Sequence, residues 1–205
     1  MRLIIASNNA HKICEIKQIL GCRFNSVISM ADAGIDMDII EDGLTFIDNA
    51  RIKANAVFDA AIHTMREGDA VLADDSGLLV KYLGDAPGVH SARYAGSAHD
   101  DTANRAKLLR ELIGVPTEMR TAHFVTAMVL KRKGCPNIES IGKVEGRILE
   151  SEIGENGFGY DSLFYYEPFK MSFAQLDSEQ KNSVSHRRNA LMLVLAALNT
   201  ESPCE

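Results

Sequence analysis

The chain opens on Leu3-Ile4-Ile5-Ala6, an unbroken apolar run that stops at Ser7-Asn8-Asn9. A short run bounded in this way predicts a buried strand over Arg2–Ala6. The period then changes. Ile13, Ile16, Ile19 and Leu20 recur at helical spacing within Ala10 to Leu20. Phe46, Ala50, Ala54, Val57, Phe58 and Ala61 do the same in a longer helix predicted over Leu44 to Met65. Ala70–Ala73 reads as a strand running into Asp74-Asp75-Ser76-Gly77, and Leu78 to Leu83 as another strand.

Gly84–Ser97 carries the Gly and Pro of an ordered loop, and Thr102 to Ile113 is helical with Ala106, Leu109, Leu112 and Ile113 inward. His123 to Leu130 and Ile138 to Ile148 predict two longer strands that pair. A glycine-rich loop, Gly154–Asp161, precedes an apolar strand at Leu163–Tyr166, and a last helix runs from His186 to Leu198. Strands and helices intermix without strict alternation, which predicts an α/β fold on a mixed sheet.

With 205 residues, no repeat and no low-complexity linker, one domain over residues 1–205 is expected. Its longest apolar stretch, Ala190 to Leu198, is nine residues. A membrane span needs about 20, so the stretch reads as a buried helix and no membrane partner is expected. The N-terminus shows no signal-peptide pattern, and no two of Cys14, Cys22, Cys135 and Cys204 form a C-x-x-C pair. Reduced, structural thiols in a cytoplasmic protein are expected. The net charge of −6 argues against a nucleic-acid partner, because phosphate tracts need clustered Lys and Arg.

The placement of the basic residues changes that picture locally. Ser185 is a natural N-cap, so His186, Arg187 and Arg188 fall in the first turn of the last helix. There they oppose the helix dipole, by about 0.3–1 kcal/mol each when exposed. Either this is a solvated charge run, or free N–H groups and cations converge to hold an anion, with Lys181 joining from upstream. At the other end, the first strand leads through Ser7-Asn8-Asn9 into a helix with Lys12 in its first turn. That order has the logic of a phosphate cradle, though Ser7 and Asn9 can equally be read as a cap. The G-x-x-x-x-G-K-[ST] pattern is absent, which excludes a P-loop.

Side chains alternate along a strand, so only one of Asp74 and Asp75 enters a given cleft. Asp75, beside Ser76 and Gly77, is the better candidate. Glu41-Asp42-Gly43 offers a second carboxylate, or simply caps the long helix. Hard oxygens beside phosphate-binding basics point to Mg²⁺, which takes one or two carboxylates plus substrate phosphates. In Gly154–Asp161 the glycines let a ligand approach, an aromatic can stack on a base, and Asp161 can accept from a base edge. Alternatively the segment is a turn whose Phe158 plugs the core.

Together, Ser7-Asn8-Asn9-Ala10-His11-Lys12, Glu41-Asp42-Gly43-Leu44-Thr45-Phe46, Ala73-Asp74-Asp75-Ser76-Gly77-Leu78, Gly157-Phe158-Gly159-Tyr160-Asp161 and Ser185-His186-Arg187 carry a resemblance. The chain resembles the Ham1/RdgB-like inosine/xanthosine triphosphate pyrophosphatases over about residues 2–198, with Ala86-Pro87-Gly88 and Ser91-Ala92-Arg93-Tyr94 adding to the match. The resemblance implies an elongated α/β fold with a cleft between two lobes, and a homodimer. It implies Mg²⁺-dependent cleavage of deaminated purine nucleoside triphosphates between the α- and β-phosphates.

By the same resemblance, Ser7, Asn8, Asn9, Ala10, His11 and Lys12 hold the triphosphate. Glu41 and Asp75 bind Mg²⁺, and Asp75 is also the general base. Ser76, Phe158, Gly159, Tyr160, Asp161, Lys181, His186 and Arg187 contact the nucleotide. An ionised Asp161 would welcome the N1–H of hypoxanthine or xanthine.

Two positions depart from the family's usual pattern: Ser7-Asn8-Asn9 stands where Thr-Gly-Asn is common, and Asp161-Ser162 where Asp-Pro is common. Two alternatives stand beside this reading: a Maf-like pyrophosphatase of pyrimidine or modified nucleotides, and a non-catalytic nucleotide-binding regulator.

Overall fold

Why the first strand is apolar from Leu3 to Ile5 is answered by the sheet around it. A computed structural model describes residues 1–21, 23–96 and 100–200. Strand β1 (Arg2–Ile5) pairs in parallel with β2 (Ser26–Ser29) and with β3 (Ala70–Val80). The sheet continues through β5 (Thr121–Arg132), β6 (Ile138–Ile148), β7 (Phe164–Tyr166) and β8 (Met171–Ser172), in the order β2-β1-β3-β5-β6-β7-β8. Strand β4 (Ala86–Pro87) lies antiparallel on β3, and β6, β7 and β8 pair antiparallel. This eight-stranded sheet is mixed, as the intermixed elements predict.

Among the described residues five helices accompany it: α1 (Ala10–Leu20), α2 (Phe46–Ala61), α3 (Asp101–Glu111), α4 (Ser178–Val184) and α5 (His186–Thr200). The chain forms two compact units. The first is built on Met1–Asp75, Thr126–Gly142 and the segment from Arg187 onward; the second is Ser76–Val125 with Lys143–His186.

In the first unit both sheet faces are covered. Leu3, Ile5, Ala70, Leu72, Met128 and Leu130 pack with Ile16 and Leu20 of α1 and with Ala190, Leu191, Val194 and Leu195 of α5. The alternate positions, Ile4, Ala6, Val71, Ala73, Ala127 and Val129, pack with Ala50, Ala54, Val57, Phe58 and Ala61 of α2. Full burial of one such aliphatic side chain contributes about 1.5–3 kcal/mol. The second unit has a separate core in which Phe124, Phe164 and Phe173 cluster, with ring centroids 4.5 and 4.9 Å apart for successive pairs. Buried Arg120 donates to the carbonyls of Leu112, Val115 and Leu149, holding the turn after α3.

Several boundaries differ from those predicted. Ala70–Val80 is one continuous strand, so Asp74-Asp75-Ser76-Gly77 lies inside it and not at an end. Helix α2 starts after Thr45, whose Oγ1 accepts from the Asp48 N–H, and stops at Ala61. The Gly84–Ser97 loop contains β4 and a 3₁₀ segment, Gly88–Arg93, while Ser97 itself lies outside the described residues. Strands β2 and β8 are too short to show a period, and α4 is polar nearly all round. Its visible signal is a capping box, in which Asp177 and Gln180 each accept from the other's backbone N–H.

Cys14 is a free, exposed thiol. Cys135 is disulfide-bonded, which corrects the expectation of reduced thiols throughout. Cys22 and Cys204 lie outside the described residues. Among the described residues no helix is long and apolar enough to cross a membrane.

Candidate active site

The alternation that builds the first unit's core also separates its two aspartates. Even-numbered positions of β3 face α1 and α5, and odd-numbered positions face α2. Asp74 therefore meets Lys12 of α1, Nζ to Oδ2 3.0 Å, and Arg187 of α5, Nε to Oδ2 3.7 Å. Arg187 is 1% exposed and also pairs with Glu15 of α1. Burial works to raise the Asp74 carboxyl, but Lys12, Arg187 and Lys53 together hold it well below the usual carboxylate range. Burial likewise lowers the Lys12 ammonium, against the pull of Asp74.

Asp75 turns to α2. Its Oδ2 accepts from Asn49 Nδ2 at 3.0 Å, and its Oδ1 lies 3.7 Å from Lys53 Nζ. The same ammonium reaches Glu41 Oε2 at 2.7 Å. Asn49 Oδ1 accepts from the Gly43 N–H at 2.8 Å, so one amide ties the Glu41-Asp42-Gly43 segment to the β3 carboxylate. Burial raises Asp75 above the ordinary carboxyl value, with Lys53 and Lys12 opposing it. Lys53 is raised: burial lowers it, and Asp75, Asp74 and Glu41 outweigh that effect.

Neither Asn49 nor Lys53 stood among the predicted site residues. Their signal was present, because both fall on the inward stripe of α2 beside Ala50 and Ala54, where an amide and an ammonium need partners.

The turn before α1 is an N-cap in this structure. Asn9 Oδ1 accepts from the His11 and Lys12 N–H groups at 3.0 and 3.1 Å, and Ser7 Oγ accepts from the Asn9 N–H at 3.1 Å. Asn8, Asn9, Ala10 and His11 are exposed and Ser7 is half-buried. From this segment Lys12 reaches Asp74.

The second unit holds the remaining predicted residues. Asp161 is 4% exposed, and its Oδ2 accepts from the Phe158 N–H at 2.9 Å and from Lys181 Nζ at 2.6 Å. Lys181 Nζ also lies 4.7 Å from the centre of the half-buried Phe158 ring. Gly157 has φ +79°, and a Cβ there would collide with the Asp161 carboxylate, so only glycine fits. Tyr160 is buried and donates to the Ser91 carbonyl at 2.8 Å. His186 is 4% exposed and stacks on Phe124, centroids 5.0 Å apart. Ser185, the expected cap, is fully buried and closes α4 through its own N–H to the Lys181 carbonyl. Ser76 is half-buried, next to Asp75 on β3.

Geometry thus gathers Lys12, Glu41, Asp75 and Arg187 in the first unit, and Phe158, Tyr160, Asp161, Lys181 and His186 in the second. The model of the Ham1 family matches residues 3–197. The chain is 45% identical over 190 residues to a dITP/XTP pyrophosphatase of Clostridium perfringens, covering 93% of each chain. It is 46% identical over 199 residues to a dITP/XTP pyrophosphatase of Desulforamulus reducens, covering 97% of this chain and 96% of that one. Its fold is similar to the solved structure of the Staphylococcus aureus Ham1 protein, with TM-score 0.84 and 39% identity, covering 98% of this chain and 100% of that chain.

Proposed function

The chain belongs to the Ham1 family, and from that membership and its charge clusters we propose that it hydrolyses non-canonical purine nucleoside triphosphates. The substrates are dITP, ITP and XTP; the products are the nucleoside monophosphate and pyrophosphate, and the role is cleansing of the nucleotide pool. The observation that carries the chemistry is the pair of carboxylates, Asp75 and Glu41, joined by Lys53 and set among Lys12 and Arg187. Buried cations at this density, in a chain of net charge −6, suit a triphosphate.

In this reading Asp75 is the general base. A water adds to one phosphorus of the α–β anhydride, its proton passes to the Asp75 carboxylate, and the bridging P–O bond breaks. Lys12, Lys53 and Arg187 stabilise the charge on the phosphoryl oxygens, with Ser7 to His11 lining the phosphate end. Glu41 and Asp75 would hold Mg²⁺, whose hard-oxygen preference their donor set fits. Substrate phosphates and water would complete its ligands. When bound, the ion supplies charge neutralisation at the transferring phosphoryl group.

The second unit supplies base recognition. Phe158 offers a stacking face. Lys181 can only donate, which suits a 6-oxo purine and not the 6-amino group of adenine. We assign Asp161 to holding Lys181 and the loop, given its burial, and His186, Gly159, Tyr160 and Ser76 to shaping the nucleotide site. Residues 1–205 act as one pyrophosphatase domain, in a cytoplasmic homodimer.

Product analysis tests the proposal, using purified protein, Mg²⁺ and a panel of ITP, XTP, dITP, GTP, ATP, dTTP and UTP. The expected result is monophosphate plus pyrophosphate, fastest for the first three. Release of orthophosphate, or a preference for pyrimidines, would overturn it.

A further inference from the structure

The loop that carries Phe158 is held from within where Asp161 Oδ2 accepts from the Phe158 N–H at 2.9 Å. Gly154, Gly157 and Gly159 sit at φ +91°, +79° and +61°, where glycine is free and its neighbours gain no helix or strand bonds. Further restraint comes from outside. The Gly159 N–H donates to Asp101 Oδ2 at 2.8 Å, and the Gly159 carbonyl accepts from Arg105 Nη1 at 3.0 Å. Asp101 and Arg105 stand four apart on α3 and so share a face. Both polar groups of one glycine are thereby held by one helix.

The guanidinium extends the clamp. Arg105 Nε lies 2.7 Å from Glu152 Oε2, which also accepts from Ser162 Oγ at 2.9 Å. A single arginine, its side chain only 17% exposed, thus connects the middle of the loop to its end. On the opposite side Asp161 accepts from the Phe158 N–H and from Lys181.

We propose that Asp101, Arg105, Glu152 and Ser162 are positioning residues for base specificity, fixing the Gly157–Ser162 loop so that Phe158 and Lys181 meet the purine. The inference rests on reading that loop as the base site. Their effect runs through the loop, Arg105 acting by its ion pair with Glu152 and Glu152 by the hydrogen bond it accepts from Ser162 Oγ.

The test uses Asp101→Ala, Arg105→Gln, Ser162→Ala and the conservative Asp101→Asn, whose Oδ1 can still accept from Gly159. For each, kcat and KM are measured with ITP and ATP, along with inhibition by IMP and by inorganic pyrophosphate. Asp101→Ala and Arg105→Gln are expected to raise the ITP KM and weaken IMP inhibition about tenfold, the equivalent of one charged hydrogen bond. The ITP-over-ATP ratio shrinks, while kcat and pyrophosphate inhibition stay unchanged. Asp101→Asn restores most of the loss.

Should the stronger variants unfold in a thermal scan, Ser162→Ala carries the test, with a smaller shift in the same direction. Unchanged IMP inhibition and base ratio, or equal weakening towards IMP and pyrophosphate, would overturn the proposal. A wild-type protein that does not prefer ITP over ATP would instead overturn the functional reading beneath it.

Discussion

Lys53 Nζ lies 3.7 Å from Asp75 Oδ1 and 2.7 Å from Glu41 Oε2, so a single buried ammonium balances the two carboxylates assigned to the metal. Replacing it by Lys53→Met keeps the stem and leaves two carboxylates without their cation. Removing one partner of a buried ion pair costs about 3–5 kcal/mol. Metal-free Lys53→Met is therefore expected to unfold at lower urea than wild type at pH 7. Adding MgCl₂ should raise its melting temperature by more than it raises that of wild type, because the cation replaces lost charge. An equal response in both proteins would separate Lys53 from the metal site.

Asp75→Asn divides chemistry from stability. Burial raises the folded-state pKa of Asp75, so this group contributes stability when protonated and loses it as pH rises through the folded value. At pH 7 the ionised carboxylate is a cost to the fold, and the amide, which still accepts from Asn49, should be at least as stable. Turnover is expected to fall about 10²–10⁴-fold, the range for a lost general base. Substantial residual activity would move that role to another carboxylate.

Asp74 has the opposite sign. Its folded pKa is depressed by Lys12 and Arg187 below the ordinary 3.8, so its contribution is complete well above that value and fades as pH falls below it. Asp74→Asn should lower stability at pH 7 and flatten the acid side of the stability curve between about pH 5 and pH 2. Chemical unfolding at several pH values measures both. A variant whose curve runs parallel to wild type would mean that Asp74 does not anchor the cluster.

Much of this site is legible in the sequence, for identifiable reasons. Helix α1 is found over Ala10–Leu20 as predicted, because its cap and its apolar period agree. Asp74 and Asp75 separate by strand parity, a rule that needs no coordinates. The continuity of β3 is harder to read, because Asp-Asp-Ser-Gly is a turn signal locally, and the buried cations that let a covered strand carry two aspartates come from distant helices. Asn49 and Lys53 are hidden in another way: their meaning depends on which face of α2 meets β3. The Asp101–Arg105 clamp on Gly159 joins residues more than fifty positions apart, with no local pattern to announce it.

The close approach at Gly43 gives a test of how the two carboxylates are coupled. A Cβ there would stand 2.6 Å from Asn49 Oδ1 and 2.8 Å from Asp48 Cβ, so alanine must push the Glu41 segment off the start of α2. The 2.8 Å bond from the Gly43 N–H to Asn49 breaks, and the amide that orients Asp75 loses its other anchor. Overpacking of this kind costs about 1–3 kcal/mol, which a stable domain survives. Gly43→Ala is therefore expected to stay folded while needing more Mg²⁺ for half-maximal rate. Asn49→Ala removes the same link from its other end and should shift the Mg²⁺ requirement in the same direction. Because both act through one amide, the double variant should be little worse than either single one. Additive effects would show that Gly43 and Asn49 act on the site separately, and that the amide does not couple Glu41 to Asp75.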